Sequence, residues 1–319
     1  MKKGVYGLFK LLNISYKLKM RKIGIIGLGK VGMEYVFALL NSNIDFDELV
    51  LIDVAKEALR SKTLDLNHAL LNLNKNVKVK MGDYNELGDA ELVCITAGMP
   101  QNQINGSRDN DLAKCDVIFK NIIPNIVESG FKGIYLLASN PLDVMCRIAL
   151  KYANCNPNRI IGSGTLLDTS RLLTVVSNRY NKNLFDLKGL VLGEHGSTSF
   201  SVWSSINVQI PEQDKEEIDK EVRKLGFDIV NGQGFTAYGV AAALLRITRD
   251  ILNDDQEILP VSTYLKEHDI YISTPSRIGK DGCIENNLYT NFTEYEKQEL
   301  DKSVKKIKYL FEQETNNKN

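Results

Sequence analysis

KIGIIGLGKVG, Lys22 to Gly32, runs into VGMEYVFALLNS, which ends at Ser42. A β-branched apolar run, three glycines spaced GxGxxG and a long amphipathic stretch predict strand, tight turn and helix in that order. Gly27 permits the turn, Gly29 lets a ligand approach the backbone, and Gly32 lets helix and strand pack closely. The first N–H groups of such a helix, together with its dipole, favour an anion. Glycines punctuate turns everywhere, so the spacing alone is weak evidence. Here Asp53 closes the next apolar run, about twenty residues beyond the loop, where an acid can accept hydrogen bonds from ribose hydroxyls. Its charge would repel a 2′-phosphate, so NAD is the expected cofactor rather than NADP. A duller reading has Asp53 capping the following helix; the strand–turn–helix context outweighs it.

The pattern continues outward from this unit. Strands are expected at Lys22–Ile26, Glu48–Asp53, Val77–Met81, Leu92–Thr96, Gly133–Ser139 and Arg159–Ile161, with longer amphipathic stretches between them. Alternation of this kind implies right-handed crossovers and a parallel sheet. Runs such as LVLI and IYLLA suit strands buried on both faces. Near Gly164 the character changes. Helices are expected at Leu166–Tyr180, Gln213–Leu225, Tyr238–Leu252 and Thr293–Phe311, with a short strand at Gly189–Leu192 and antiparallel strands around IYIS and the KDG turn. The expected fold is α/β, a Rossmann-type doubly wound parallel sheet (residues 21–163) followed by an α+β domain (residues 164–319), with residues 1–20 as an N-terminal extension.

Forty basic residues balance forty acidic ones, so no global field draws in nucleic acid or an anionic membrane. Five scattered cysteines without a CxxC pair read as reduced thiols, with Cys94 in LVCIT a small buried hydrophobe, and no metal site is expected. Lysines at positions 10, 17 and 19 interrupt the N-terminal leader, and no window approaches a membrane span. A cytoplasmic location is expected.

Two segments of the second half carry the chemistry: GTLLDTSR, Gly164 to Arg171, and LGEHGSTSF, Leu192 to Phe200. Asp168 and Arg171 stand three apart and so share a helix face. His195 follows an apolar strand and lies between glycines. Histidine serves as an acid/base near neutrality without tuning, and arginine grips a carboxylate at two points where lysine cannot.

These segments, together with KIGIIGLGKVG, TAGMPQNQINGSR, ASNPLDV, NGQGFTAYG and SRIGKDG, resemble the lactate/malate dehydrogenase family from about Arg21 to the C-terminal helix. The resemblance implies hydride transfer between NAD and a small 2-oxo or 2-hydroxy acid. It makes His195 the proton donor to the ketone oxygen, Asp168 the group that orients the imidazole, and Arg171 the carboxylate anchor with Thr236 beside it. Asn140 would contact substrate and help place the nicotinamide. Lys30 and Val31 of the glycine loop and Thr96, Ala97 and Gly98 after the fourth strand are the further expected cofactor contacts. Gly98 to Arg108 resembles the family's lid, with Gly98 and Gly106 flexible and Arg108 polarising the carbonyl once water is expelled. Each residue has a plainer reading: an exposed ion pair for Asp168 and Arg171, a turn for Asn140, a turn cap or a packed ring for His195 as for His68 and His268. Only the ensemble fills every role of one site.

Gln101, in the lid, is neutral, and burying a second substrate carboxylate against it would leave that charge unpaired. Malate-type activity is therefore disfavoured. Gly226 falls where the family's lactate enzymes commonly carry alanine, and the missing methyl would admit longer side chains at about 1 kcal/mol per methylene. Lactate is the expected product, with branched 2-hydroxy acids such as 2-hydroxyisocaproate as the alternative; a catalytically silent NAD-binding protein would lack one of His195, Asp168 and Arg171. Leu173 and Lys188 stand where an arginine and a histidine bind fructose 1,6-bisphosphate in many bacterial relatives, so no strong activation by that sugar is expected. A homotetramer or homodimer is implied.

Overall fold

The computed structural model describes residues 20–98 and 112–316. The expected extension at residues 1–20 therefore lies almost wholly outside the described residues, and so do Gln101, Gly106 and Arg108 of the expected lid.

Among the described residues, six parallel strands form the first half: β1 (Lys22–Ile26), β2 (Glu48–Ile52), β3 (Lys78–Met81), β4 (Leu92–Ile95), β5 (Ile134–Leu137) and β6 (Ile160–Gly162). Their spatial order is β3-β2-β1-β4-β5-β6, the doubly wound arrangement in which the chain reverses direction between β1 and β4. Helices α1 (Lys30–Leu40), α2 (Lys56–Asn72), α3 (Leu112–Glu128) and α4 (Leu142–Ala153) lie between these strands in sequence. Every residue of β1, β2, β4 and β5 is buried, and the pleat sorts them between two cores. Ile23, Ile25, Leu49, Leu51, Leu92 and Cys94 face one core with Tyr35, Val36 and Leu39 of α1. Ile26, Val50, Ile52, Val93 and Ile95 face the other with Phe119, Ile123 and Ile126 of α3.

The second half supplies α5 (Leu166–Tyr180), β7 (Leu190–Leu192), β8 (Phe200–Val202), α6 (Glu212–Gln233), α7 (Tyr238–Asn253), β9 (Ile258–Leu265), β10 (Ile270–Gly279), β11 (Gly282–Glu285) and α8 (Glu294–Asn316). Its antiparallel ladder β9-β10-β11 joins the parallel sheet through the pair Gly162 and Ser262, giving one nine-stranded sheet among the described residues. Strands β7 and β8 form a separate ribbon, held to β10 by a bridge between Gly193 and Ser273. Helix α6 runs beyond the expected Leu225, through Gly226 and Gly232, and stops at Gly234 with φ +83°. Two glycines lower the local helix signal by about 1 kcal/mol each. Ile218 and Val222, packed in the same small core as Leu172 and Val176 of α5, seat the helix, which the periodicity alone could not report.

Candidate active site

The cofactor side is built mostly from backbone. Gly27 has φ +93°, and a Cβ there would fall 2.5 Å from the amide nitrogen of Ala97. A Cβ on Gly32 would lie 2.1 Å from the Gly27 carbonyl oxygen and 2.8 Å from Thr96 Oγ1, so only glycine lets α1 start this close to β1. The Thr96 hydroxyl donates to that same carbonyl at 2.5 Å, and the Thr96 amide donates to Ile26. Thr96 and Ala97 are thus packed directly against the glycine turn, while among the described residues nothing lies within 4 Å of where a Cβ on Gly98 or Gly29 would stand. Helix α1 begins at Lys30 and Val31 without a side-chain cap, so its positive end is available to an anion.

Asp53 sits at the end of β2, and its carboxylate accepts from the Leu28 amide at 2.6 Å and the Ala55 amide at 2.9 Å. Local turn capping and contact with the glycine loop are both present in one side chain. A carboxylate has about four lone-pair directions, which leaves acceptor capacity for hydroxyls. Lys62 of α2 donates to the Leu28 carbonyl at 2.5 Å and fixes the loop from the other side. An uncapped helix start, an open Gly29 and a strand-end acid suit a dinucleotide's pyrophosphate and ribose.

The substrate side is built from side chains. Asp168 lies in the first turn of α5, and its Oδ2 stands 2.9 Å from His195 Nδ1 while Oδ1 accepts from Arg171 at 2.9 Å. Burial pushes the Asp168 carboxyl up, but the His195 ring and the Arg171 guanidinium more than offset this and hold it below the ordinary aspartate value. An ionised carboxylate can only accept, so Nδ1 of His195 carries the hydrogen and Nε2 is the ring atom left to exchange a proton. Arg171 spends one donor on Asp168, while its Nε is buried with no hydrogen-bond partner among the described residues. A Cβ built on Gly226 would approach that guanidinium to 3.5 Å, which puts α6 directly over it.

The residues that aim these groups were not singled out from the sequence. Thr165 and Thr169 flank Asp168 and clamp β7: Thr165 donates to the Val191 carbonyl at 2.5 Å, and the Val191 amide donates to Thr169 at 3.0 Å. His195 then follows Val191 by one short turn, in which Gly193 has φ +95° and exchanges hydrogen bonds with Ser273. The buried Glu194 accepts from the Thr198 amide and hydroxyl, at 2.9 and 2.8 Å, and folds beneath the loop. The His195 amide donates at 2.7 Å to Asp143 Oδ2, whose other oxygen accepts from Ser262 at 2.5 Å. Burial raises the Asp143 carboxyl to about 6, against the opposing pull of those two bonds. In the sequence, Asp143 reads as an ordinary acid in a helix's first turn, three residues after Asn140. No local signal tied it to a loop some fifty residues away.

Asn140 occupies the loop after β5 with a cis peptide to Pro141, immediately before α4 and Asp143. Thr236 precedes α7, next to Phe235, and the Lys30 ammonium lies 5.1 Å from the centre of the Phe235 ring. The glycine loop and the Thr236 segment therefore adjoin. His68 is exposed on α2 and His268 lies in the β9–β10 turn. Among the described residues, no helix is long and apolar enough to cross a membrane.

Comparison with known proteins places the chain in a family. A family model for the lactate/malate dehydrogenase NAD-binding domain matches residues 21–162, and one for the lactate/malate dehydrogenase α/β C-terminal domain matches residues 165–317. An L-lactate dehydrogenase of Borrelia turicatae is 35% identical over 287 residues, covering 84% of this chain and 90% of the relative. One of Priestia megaterium is 37% identical over 315 residues, covering 93% and 98%. Among solved structures, a lactate dehydrogenase from a Medee basin deep-sea metagenome library superposes with a TM-score of 0.88 at 34% identity, covering 93% of this chain and 100% of the other. With both domain models matched in order and a parallel sheet ending in a glycine-loop nucleotide site, this chain belongs to the lactate/malate dehydrogenase family, NAD-dependent oxidoreductases acting on 2-hydroxy acids.

Proposed function

We propose that the chain interconverts pyruvate and L-lactate, in a pocket that also tolerates longer 2-oxo acids. The observation that carries this reading is the Asp168 carboxylate, bonded at 2.9 Å to both His195 and Arg171. That arrangement sets a proton-exchanging ring beside a carboxylate anchor. NADH, when bound, supplies a hydride to the carbonyl carbon. Arg171 holds the substrate carboxylate by charge-assisted hydrogen bonds, with Thr236 beside it. His195, protonated, gives the Nε2 proton to the carbonyl oxygen, and Asp168 stabilises the charged ring before that transfer. In this reading Arg108 polarises the carbonyl and Gln101 rejects a second carboxylate. Asn140 contacts substrate. Gly27, Gly29, Lys30, Val31, Gly32, Asp53, Thr96, Ala97 and Gly98 hold the cofactor. Residues 21–163 then form the cofactor domain and residues 164–319 the substrate domain, in a cytoplasmic homotetramer or homodimer.

The missing side chain at Gly226, where a Cβ would stand 3.5 Å from the Arg171 guanidinium, supports a branched 2-oxo acid as the second reading. Steady-state kcat/KM for pyruvate, 2-oxoisocaproate and oxaloacetate tests both. Pyruvate should lead, 2-oxoisocaproate should follow within about tenfold, and oxaloacetate should trail by about a hundredfold or more because its second carboxylate finds no partner. A lead for 2-oxoisocaproate selects the second reading; a lead for oxaloacetate removes both.

A further inference from the structure

Asp143 is almost wholly buried, and its hydrogen-bond donors among the described residues, the His195 amide at 2.7 Å and the Ser262 hydroxyl at 2.5 Å, are both neutral. Among the described residues, four groups that can titrate face this carboxyl. Glu194 and His195 come from the β7–β8 loop, Cys146 lies on the same helix one turn on, and Asp168 lies beyond the imidazole on α5. Of these, only the imidazole can carry a positive charge. A carboxylate buried among neutral donors and other acids is an expensive arrangement unless its charge has a use. The structure offers one: the acid is fixed to the backbone of the residue whose ring must become a cation.

We infer that Asp143 is a positioning residue that sets the His195 loop on helix α4 and, when ionised, adds a second negative charge favouring the protonated imidazole. The inference rests on His195 as the proton-carrying group of the proposed reaction. Geometry and charge are separable here. Both carboxyl oxygens are committed to one bond each, and either protonation state of Asp143 can keep both, because the Ser262 hydroxyl can donate or accept. Asp143→Asn therefore resembles the protonated acid: its amide oxygen accepts from the His195 amide and its NH₂ donates to Ser262. The loop keeps its anchor and the imidazole loses a charge. Attraction between Asp143 and His195 also runs the other way, the ring drawing the Asp143 carboxyl down against the burial that raises it. A purely structural anchor would leave the titration of the ring unmoved.

The chain has three histidines, so the ring can be titrated directly by NMR in the full-length protein labelled at histidine Cε1, with His195→Gln identifying its resonance. Asp143→Asn should lower the His195 pKa by about half a unit to one unit. The alkaline limb of kcat/KM for 2-oxo acid reduction should move to lower pH by the same amount, and NADH affinity should stay within about twofold. Ser262→Ala removes one donor from the carboxylate, leaves Asp143 more protonated, and should shift His195 in the same direction by less. A His195 titration in Asp143→Asn that superimposes on the wild type overturns the inference. If that variant does not fold, an unmoved His195 in Ser262→Ala overturns it equally. Retention of 2-oxo acid reduction by His195→Gln would instead remove the functional reading, a result distinct from the NMR titration.

Discussion

Two loops of this molecule follow short buried strands and are rich in glycine, yet they work by opposite means. The loop Gly27–Gly32 after β1 offers a ligand its backbone: Gly29 is open, Gly32 has no room for a Cβ, and helix α1 begins uncapped. The loop Gly193–Gly196 after β7 offers side chains, and each is held from a distance. His195 is bonded to Asp168 of α5 and Asp143 of α4, while Glu194 lies buried beneath. Absence of atoms makes the first site, and convergence of atoms makes the second. The first can be disabled by adding a methyl group, the second by removing a functional group.

The largest expected effect lies in the second loop. His195→Gln keeps a polar side chain of similar reach but no group able to exchange a proton near neutrality. Pyruvate reduction should fall by about a thousandfold in kcat, with NADH binding, read by fluorescence titration, within about twofold of wild type. Loss of cofactor affinity as well would mean that the two loops are not separable. Smaller effects are expected in the glycine loop, where two variants sharpen the contrast. Gly32→Ala places a Cβ 2.1 Å from the Gly27 carbonyl oxygen, so the turn must shift. NADH should bind at least about tenfold more weakly, and the thermal midpoint should drop by several degrees, for a loss of about 2 kcal/mol. Gly29→Ala meets no neighbour within 4 Å among the described residues. Its midpoint should hold within about one degree while NADH affinity still weakens, because in the proposed cofactor site the added methyl would stand where the pyrophosphate approaches. Equal melting losses in the two variants would show that loop packing, rather than ligand access, explains Gly29.

The smallest effect is a stability difference that depends on pH. Burial raises the folded-state pKa of Asp143 to about 6, above its unfolded value. The folded chain therefore binds this proton more tightly than the unfolded chain, and the resulting stability is present at low pH and lost as pH rises through about 6. Asp143→Asn has no such proton to lose. Its thermal midpoint relative to wild type should improve by about one to two degrees between about pH 5 and about pH 8. A difference that stays flat, or worsens with pH, would show that the ionised carboxylate is better compensated than its two neutral donors suggest. A relative gain at neutral pH beside a lowered His195 pKa would mark a charge kept for function at a cost in stability.

Much of this was legible beforehand. Continuous apolar runs marked β1, β2, β4 and β5, because strands covered on both faces cannot alternate with polar residues. The helix Leu166–Tyr180 was placed to the residue, its apolar stripe being regular and its last residue followed by Asn181 in a left-handed cap. Asp168 and Arg171 could be paired from spacing alone, since i and i+3 share a helix face. His195 was legible only through its company, as nothing within LGEHG says what its ring touches. The continuation of α6 through Gly226 and Gly232 was hidden, because its stability comes from contact with α5 rather than from its own composition. Joining of β9 to β6 through Gly162 and Ser262 was equally invisible: a single cross-strand pair leaves no periodic trace.

By itself the sequence determined the alternation of strands and helices, the glycine turn and the acid at the end of β2. These are local, because backbone conformation and hydrophobic period are set by residues a few positions apart. Only the tertiary structure decided that Thr165 and Thr169 clamp β7, that Asp143 and Ser262 reach the His195 loop, and that Gly226 packs over Arg171. Those contacts join residues far apart in the chain, and a hydrogen bond between such groups depends on where packing puts them rather than on what stands beside them.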